Sequence, residues 1–427
     1  MTNQSDNGLF TPELLHEIRA QMVHVDADPY TGQRIYFENA GGSLRLQSVC
    51  EAVFAESAIP DNAGRRTAAS AHVMDTIEQG KKDARLFFGA TSGQVISAQT
   101  TTQTIFRAIR AIAENVSGSN IVTTNLEHPA IFDSTKLYAD WLGKEWRVAE
   151  LNPETGGVDT EQILAQIDEK TCLLGFIHAS NITGTILDAE EIIREARRIK
   201  EDLFIVVDGT QHAPHAPVDV EALGCDAYFF APYKILGKVG IGFGWIADRL
   251  AALPHEKLAG KKHEDWDLGT QEHAAYLAWT KVVDYLSWLG GKFTDSTNRR
   301  VRLITAMQKA ENHERALLKQ CLDGNAAHRG LLCLPEITLY GFADNMAEHD
   351  CVLALNIAGI PAPEAVQRYL DAGVAVHNRL TDAYSRQVLG ALGVESLVRF
   401  SALHYNTPDE VDHFLAVTAE LCGRNGG

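Results

Sequence analysis

The sequence lacks the features that direct a chain into a membrane, onto nucleic acid or out of the cell. In its 427 residues there is no run of about 18 consecutive apolar residues, so no transmembrane helix is predicted. The formal net charge is −18, which argues against nucleic acid and against an anionic membrane surface as partners. The first residues, MTNQSDNGLF, contain no basic segment followed by an apolar core, so no signal peptide is predicted.

Cysteine is scarce, and its spacing is not typical of a metal site or a disulfide framework. The seven cysteines are odd in number and never form a CxxC pair. We therefore expect reduced thiols in a cytoplasmic protein. His212 and His215 are spaced like a metal pair, but no third ligand has a suitable spacing. We interpret both histidines as structural or pocket-lining, and we predict no metal.

What the chain does contain is typical of a globular enzyme with more than one core. Hydrophobic residues make up 45% and charged residues 22% of the sequence. The length fits two domains, or one large domain with a smaller one attached. The order of predicted elements divides the chain into an N-terminal arm (1–30), a large α/β domain (31–290), and a connecting helix with a small C-terminal α+β domain (291–427).

The large domain alternates predicted strands with predicted helices. Seven strands are predicted at 94–98, 120–124, 145–149, 172–178, 204–207, 227–230 and 240–246. This alternation favours a mostly parallel seven-stranded sheet with helices on both faces. Further strands are predicted at 331–334, 337–342, 352–357, 374–377 and 397–402, after a long charged helix at 296–322.

One stretch, 204–245, carries two residues whose chemistry fits together. The apolar run 204–207 is followed by Asp208, and the run 227–230 leads to Lys234 and a segment rich in glycine. A carboxylate can keep a pyridine nitrogen protonated, and a desolvated lysine can form a Schiff base with an aldehyde, which is how enzymes bind pyridoxal 5'-phosphate (PLP). The alternatives are a surface lysine and a buried acid that caps a loop.

Polar residues at the other strand ends are expected to lie beside this pair, because ligands of parallel sheets bind at the carboxyl ends of the strands. These residues are Thr101, Thr102, Gln103, His128, Asn181 and Gln211. The threonines either form an anion site at a helix N-terminus or only cap the helix. His128 either stacks on an aromatic cofactor or is an ordinary loop histidine. The glycine pair after Asn39 and Ala40 either approaches a ligand or forms a plain turn.

As a set, these residues resemble the class V aminotransferases, in the cysteine desulfurase and selenocysteine lyase branch of the fold-type I PLP enzymes. The resemblance is carried by Leu126-Glu127-His128, by 180–184, by 207–211 with Tyr233-Lys234, and by 398–412, in the expected order from about Tyr36 to Leu421. It implies a large domain with a mostly parallel seven-stranded sheet and a small C-terminal α+β domain.

The resemblance also implies a role for each matching residue. Lys234 would bind PLP as an internal aldimine and later carry the Cα proton, while Asp208 would hold the ring nitrogen and His128 would stack on the ring. Asn181 and Gln211 would flank the phenolic oxygen, and Thr101, Thr102 and Gln103 would hold the phosphate. Thr270 matches a position that reaches the phosphate of a partner subunit, which implies a homodimer with shared active sites. Arg399 would bind the substrate carboxylate, and Asn39, Ala40 and Gly41 would line the substrate side.

Two departures from the family pattern affect the expected chemistry. The family commonly has Ser-x-His-Lys around the lysine, whereas this chain has Ala231-Pro232-Tyr233-Lys234, so the phenol of Tyr233 would replace the histidine as a phosphate donor. Desulfurases also present a cysteine on a small-domain loop, and the corresponding loop here, 378–386, has none. Arg379 and Arg386, with Tyr384, either face the substrate side chain or form surface ion pairs.

The sequence therefore predicts a PLP-dependent enzyme that acts on a small amino acid. We expect a desulfurase-like β-lyase without a persulfide cysteine. An aminotransferase or an epimerase needs the same residues and remains the alternative, and a PLP-binding scaffold without turnover is the alternative of another class.

Overall fold

A seven-stranded sheet is the centre of the larger part of the molecule. The computed structural model describes residues 3–60, 62–342 and 346–423. Across the sheet the strands follow the order Gln94–Ala98, Gly242–Ile246, Ala227–Phe230, Phe204–Asp208, Thr171–Ile177, Asn120–Thr124 and Glu145–Ala149. Only Gly242–Ile246 runs antiparallel to its neighbours. The predicted fold class is confirmed.

Both faces of this sheet are buried, which explains why its strands are continuous apolar runs. Successive residues of a strand point to opposite faces. Ile205 and Val207 accordingly belong to one hydrophobic cluster, while Val206 belongs to another. The same alternation separates Phe230 from Phe229 on the neighbouring strand. All five side chains are fully buried or nearly so.

Helices cover the two faces, and several of them start at a residue whose side chain caps the helix. In chain order they are Pro12–Arg19, Gln47–Glu56, Ala68–Phe88, Thr101–Asn115, Pro129–Leu142, Thr160–Leu164, Ala189–Ile199, Val220–Leu223, Asp248–Ala251 and His273–Gly291. Thr11 caps the first of them by accepting a hydrogen bond from the Leu14 N–H, with Pro12 at the first helical position. Gly89 ends the helix Ala68–Phe88 with a left-handed φ of 71°.

The C-terminal part has its own sheet and its own core. After the helix Arg299–Asp323, four antiparallel strands are ordered Ile337–Tyr340, Val352–Ile357, Ser396–Ser401 and His377–Leu380. They pack with the helices Ala362–Asp371 and Pro408–Gly423, and a separate cluster of buried side chains fills the space between them. The helix Arg386–Ala391 instead contributes Val388 and Leu389 to the main cluster of the larger unit. This is the α+β arrangement expected of the C-terminal region.

Two predicted strands differ in the structure. Residues 331–334 were predicted as a strand, but Leu331–Cys333 forms a short 3-10 helix, in which Leu332 is exposed. The predicted strand 374–377 is divided, because Val374–Ala375 and His377–Leu380 pair with different neighbours.

An N-terminal strand joins the C-terminal unit. Ile35–Tyr36 lies in the range assigned to the large domain, yet it pairs in parallel with Val374–Ala375. The next residue, Phe37, packs its ring 4.4 Å from that of Phe400. Because of this pairing, the segment 38–42 runs along the cleft between the unit of the seven-stranded sheet and the C-terminal unit. Short strands also pair at Ala27–Asp28 and Gly32–Gln33, and the predicted domain boundaries remain predictions.

Among the helices of the described residues, none has both the length and the apolar character that crossing a membrane would require. In the same residues no group of three or more His, Cys, Asp or Glu side chains is placed to hold a metal ion.

Candidate active site

A cavity of about 270 Å³ lies at the carboxyl ends of the parallel strands. Eight predicted site residues line it: Thr101, Thr102, His128, Asn181, Asp208, Gln211, Tyr233 and Lys234. They come from five different loops of the sheet, and each follows a strand or begins a helix. The structure thus brings together most of the cofactor residues that the sequence predicted.

Lys234 is buried at the wall of this cavity. It ends the short 3-10 helix Pro232–Lys234, which follows the strand Ala227–Phe230, and its side chain is held where water is excluded. Nζ donates a hydrogen bond to Oε1 of Gln211 at 3.0 Å. Burial, with the nearby charge of Arg399, lowers the pKa of Lys234 to about 7. A large share of this lysine is therefore a free amine at neutral pH, the form that reacts with an aldehyde.

Asp208 is the last residue of its strand and is only 2% exposed. Its Oδ1 accepts a hydrogen bond from the Thr210 N–H at 3.0 Å, which fixes the carboxylate at the floor of the cavity. A buried carboxylate is costly unless a partner compensates its charge. A protonated ring nitrogen is such a partner.

His128 presents a neutral ring to the cavity. It caps the helix Pro129–Leu142, and its Nδ1 accepts a hydrogen bond from the Ala130 N–H at 3.1 Å. Burial lowers the pKa of His128 to about 4, although the charge of Asp208 acts in the opposite direction. The ring of Tyr384 lies 6.0 Å away, centroid to centroid. A flat, uncharged ring fixed by its own helix suits stacking on an aromatic cofactor.

The predicted phosphate side is the start of the helix Thr101–Asn115. The Thr100 hydroxyl caps this helix by accepting from the Gln103 N–H, and the Thr101 hydroxyl donates to the Phe230 carbonyl at 3.0 Å. Both hydroxyls therefore already form hydrogen bonds within the protein. The Thr102 hydroxyl makes no hydrogen bond with any described residue and remains available at the cavity wall, with the N-terminal end of the helix.

Gln103 and Thr270 lie next to this cavity and do not line it. They line an adjoining space of about 630 Å³, which shares Thr102 and Gly240 with the first cavity. Thr270 is exposed on a loop of the same chain. Its predicted contact with the phosphate of a partner subunit remains a prediction.

Arg399 belongs to the C-terminal sheet and is 1% exposed. Its Nη1 donates to the Asn181 carbonyl at 2.8 Å, whereas its buried Nε has no partner among the described residues. Burial, with the charge of Arg379, lowers the pKa of Arg399 to about 10, so the guanidinium stays charged at neutral pH. A buried cation with an unused donor is a site for a substrate carboxylate.

The loop predicted for the substrate side lies against this arginine. Asn39 donates from Nδ2 to the Ser401 carbonyl at 2.9 Å, and the Ala40 N–H donates to the Ser401 hydroxyl at 2.9 Å. A Cβ placed on Gly41 would lie 3.3 Å from Nη2 of Arg399. Glycine at this position therefore lets the backbone of the loop lie close to the guanidinium without a side chain between them.

Segment 378–386 was predicted as a loop, but its first residues continue the strand His377–Leu380. His377 lies opposite Arg399 in the register, so Arg379, two residues further on, points to the same face of the sheet. Arg379 donates to the Ser385 hydroxyl, and its Nε is buried without a partner among the described residues. Arg386 is exposed, and within the described chain neither arginine forms an ion pair.

Two residues on the substrate side of the site, Glu38 and His377, were not identified from the sequence. Glu38 lies near Arg399 and Arg379, and its Oε1 is 3.4 Å from Nδ1 of His377. Burial raises the pKa of Glu38, although both arginines act against this. The only sequence signal for Glu38 was its position next to Asn39, and no local pattern singled out His377.

A family model described as aminotransferase class-V matches residues 35–414. The chain belongs to the aminotransferase class-V family. It is a PLP-dependent enzyme, since this is the cofactor of the family. The resemblance seen in the sequence and the predicted cofactor are both confirmed.

Relatives and solved structures are similar over most of their length. The chain is 28% identical over 367 residues to a cysteine desulfurase of Salmonella gallinarum, covering 81% of this chain and 82% of the relative. Its fold is similar to the apo cysteine desulfurase from Thermococcus onnurineus NA1, with a TM-score of 0.79, 23% identity, and 96% and 98% of the two chains covered. It is also similar to the cysteine desulfurase CsdA (S-sulfonic acid) from Escherichia coli, with a TM-score of 0.75 and 21% identity, covering 95% of this chain and 98% of that one.

The residues of the cavity fit PLP in their chemistry. Asp208 would supply the acid for the ring nitrogen, Lys234 the amine for the aldehyde, and the start of the helix Thr101–Asn115 the donors for the phosphate. Thr210 adds a buried hydroxyl without a partner among the described residues. Ala231 also lines the cavity and brings no hydroxyl, as the departure from the family pattern suggested.

Proposed function

We propose that this enzyme is a β-lyase that acts on a small amino acid with a sulfur or related leaving group on Cβ. The observation that carries the proposal is that a lysine with a lowered pKa lines the cavity, a buried arginine bonded to the Asn181 carbonyl lies close enough to act on that lysine, and no thiol lines the cavity. The two basic groups serve deprotonation at Cα and binding of the carboxylate. The missing thiol removes the usual acceptor for a transferred sulfur atom.

The cysteines of the chain lie away from the site. Cys172, Cys225, Cys321, Cys351 and Cys422 are buried, and Cys50 and Cys333 are exposed elsewhere. None of the seven lines the 270 Å³ cavity. Burial raises the pKa of the Cys351 thiol well above its ordinary value, so it stays protonated and is a poor nucleophile. The leaving group would therefore be released and not passed to a protein thiol.

The protein residues have separate tasks in this reaction. When bound, PLP supplies an electron sink for negative charge at the substrate's Cα. Arg399 would hold the α-carboxylate, and Nζ of Lys234 would take the Cα proton. His128 would support the ring face, while Asp208 would keep the ring nitrogen protonated. The leaving group departs from Cβ with the electron pair; the released enamino acid takes up a proton at Cβ, and water hydrolyses the resulting imine to a 2-keto acid and ammonia.

Product analysis tests the proposal. The loaded enzyme is incubated with L-cysteine and other β-substituted amino acids, with Lys234→Ala as the inactive control. A β-lyase releases a 2-keto acid, ammonia and free sulfide in equal amounts. Alanine with a protein persulfide would instead show a desulfurase, amino transfer without loss of the β-substituent an aminotransferase, and inversion at Cα an epimerase. A visible cofactor band that no amino acid perturbs would favour a scaffold without turnover.

We also propose that the enzyme is a cytoplasmic homodimer with shared active sites. Thr270 is exposed beside Thr102, and several large apolar side chains are exposed, among them Phe54 at 84% and Val239 at 53%. All seven cysteines are free thiols, which suits a reducing compartment. Sedimentation of a fully active monomer would contradict the dimer.

A further inference from the structure

A chain of buried polar side chains extends from Lys234 away from the cavity. Lys234 Nζ is 3.0 Å from Oε1 of Gln211, and Nε2 of Gln211 is 3.2 Å from Nε2 of His215. Nδ1 of His215 is then 2.6 Å from Oε2 of Glu314, on the helix Arg299–Asp323. None of these four side chains is more than 6% exposed. Among the described residues, Gln211 therefore links the lysine to the His215–Glu314 pair by hydrogen bonds.

Other titratable groups surround the two ends. Glu314 Oε1 is 3.6 Å from Nδ1 of His404, whose Nε2 is 2.9 Å from the Tyr285 hydroxyl. Asp350 and Lys234 also act on His215 electrostatically. At the other end, Lys234 feels the charges of Arg399, Asp208 and Arg379.

His215 and Glu314 form a buried ion pair. Burial alone lowers the pKa of His215, but Asp350 and Glu314 raise it above its ordinary value. For Glu314, burial raises the pKa, and the contact with His215 outweighs this and lowers it. Both shifts favour the ion pair, in which the imidazole ring carries a proton on each nitrogen and donates on both sides.

The charge on His215 decides which way the amide of Gln211 faces. In the arrangement of the structure, the amide NH₂ faces His215 and the amide oxygen faces Lys234, which suits a neutral imidazole that accepts. A doubly protonated ring cannot accept, so the amide must turn by half a rotation and offer its oxygen. Its NH₂ then faces Lys234, whose nitrogen must accept and therefore cannot be the ammonium.

We propose that His215 and Glu314 are positioning residues for Lys234, acting through the amide of Gln211. When the pair is charged, the amide NH₂ points at Lys234 and keeps its nitrogen unprotonated. When the pair is neutral, the amide oxygen points there and favours the protonated nitrogen. The proposal rests on the assignment as a PLP enzyme and not on the choice of a lyase reaction.

The test follows the visible absorption band of the full-length, PLP-loaded protein as a function of pH. This band responds to protonation of the Lys234 nitrogen when it holds the cofactor. Glu314→Gln removes the hydrogen-bonded carboxylate that, together with Asp350, raises the pKa of His215, so the neutral imidazole is favoured and the amide turns its oxygen to Lys234. The midpoint of the band should rise by about one pH unit, as expected for one hydrogen bond gained by a charged group. Because the pair is net neutral in both forms, its through-space field on Lys234 changes little.

Two controls separate this relay from general electrostatics. Glu311→Gln, three residues earlier on the same helix, removes a carboxylate that pairs with Arg315 and should leave the midpoint unchanged. In a Gln211→Met background the relay is absent, so Glu314→Gln should no longer move the midpoint. An equal shift in both backgrounds would overturn the proposal, as would no shift in the native background.

His215→Asn is an independent test of the proposal in case Glu314→Gln does not fold. Asparagine carries no charge, so the amide of Gln211 is again free to turn its oxygen toward Lys234, and the midpoint should rise as well. The uncompensated charge of Glu314 raises the midpoint in both backgrounds, so the rise should be smaller in the Gln211→Met background, and an equal rise in both would overturn the proposal. An unchanged midpoint in His215→Asn would overturn the proposal. The readout does not depend on the reaction catalysed, so a failed lyase assay leaves this result interpretable.

Discussion

Lys234 and Arg399 are both buried basic groups of the same cleft, yet burial has different results for the two. It lowers the pKa of Lys234 to about 7, whereas that of Arg399 falls only to about 10. The delocalised guanidinium starts from a much higher pKa and so keeps its charge. The lysine can therefore serve as a nucleophile and a base, while the arginine remains an anion site.

Substitution of Arg399 by lysine tests the paired N–H donors of the guanidinium separately from its positive charge. Lysine keeps a positive charge but loses the paired donors, including the Nη1 bond to the Asn181 carbonyl. We expect amino-acid binding to weaken about tenfold or more in Arg399→Lys, since one charge-assisted hydrogen bond contributes about 1.5–3 kcal/mol. Titration of the cofactor band with substrate measures the effect, and unchanged binding would remove Arg399 from the carboxylate site. Arg386→Lys, at an exposed position nearby, is the control.

At the scale of elements, the predicted phosphate site depends on how one strand meets one helix. A Cβ on Gly242 would lie 2.1 Å from the Thr101 nitrogen, so the strand Gly242–Ile246 runs directly against the helix start. No side chain fits between them. This contact places the N-terminal end of Thr101–Asn115 at the cavity.

Gly242→Ala should therefore displace the start of this helix. We expect weaker PLP binding and a loss of stability of about 1–3 kcal/mol, the usual cost of overpacking. Equilibrium dialysis of the cofactor and thermal unfolding measure the two effects. Gly390→Ala, where an added Cβ meets nothing within 4 Å, should change neither. Normal cofactor binding by Gly242→Ala would show that the close approach is not required.

At the scale of the whole molecule, the cleft is closed by contacts between its two units. The loop that carries Asn181 is hydrogen-bonded to the segment before the strand Val352–Ile357, through Ile186 N–H to the Glu348 carbonyl and Asp350 N–H to the Gly184 carbonyl, both at 2.9 Å. His212 also lies 3.2 Å from both carboxylate oxygens of Asp350. Arg399 is thereby brought to the cofactor side from the other unit.

Loss of the buried contact between His212 and Asp350 should weaken the association of the two units. Asp350→Asn is expected to destabilise the protein by about 1–3 kcal/mol, the range for a disturbed buried hydrogen bond. It should also raise KM, since the position of Arg399 beside the cofactor residues depends on the same contacts between the two units. Urea unfolding and substrate titration measure this. Glu364→Gln, which breaks an exposed helix pair with Arg368, should cost only a few tenths of a kcal/mol, and an equal loss in both variants would contradict this role of the buried contact.

Local patterns in the sequence were sufficient for much of the fold and for the cofactor residues. Five strands of the large sheet lie within the predicted limits, among them Gln94–Ala98 and Ala227–Phe230. A fully buried strand must be apolar over its whole length, and the polar residue that follows it is visible in the sequence. Asp208 and Lys234 could be found in this way, because parallel strands end at one edge of the sheet.

The remaining features depend on contacts between distant parts of the chain. Residues 378–386 have no strand pattern of their own, and only pairing with Ser396–Ser401 turns Arg379 toward the face of Arg399. His215 and Glu314 are 99 positions apart and meet because a long helix packs beside the sheet. The sequence by itself determined the sheet, the cofactor and the residues at the strand ends, since burial and strand periodicity are local. Tertiary structure alone decided which charges face one another and how the amide of Gln211 connects them to Lys234, since these depend on packing between the two units.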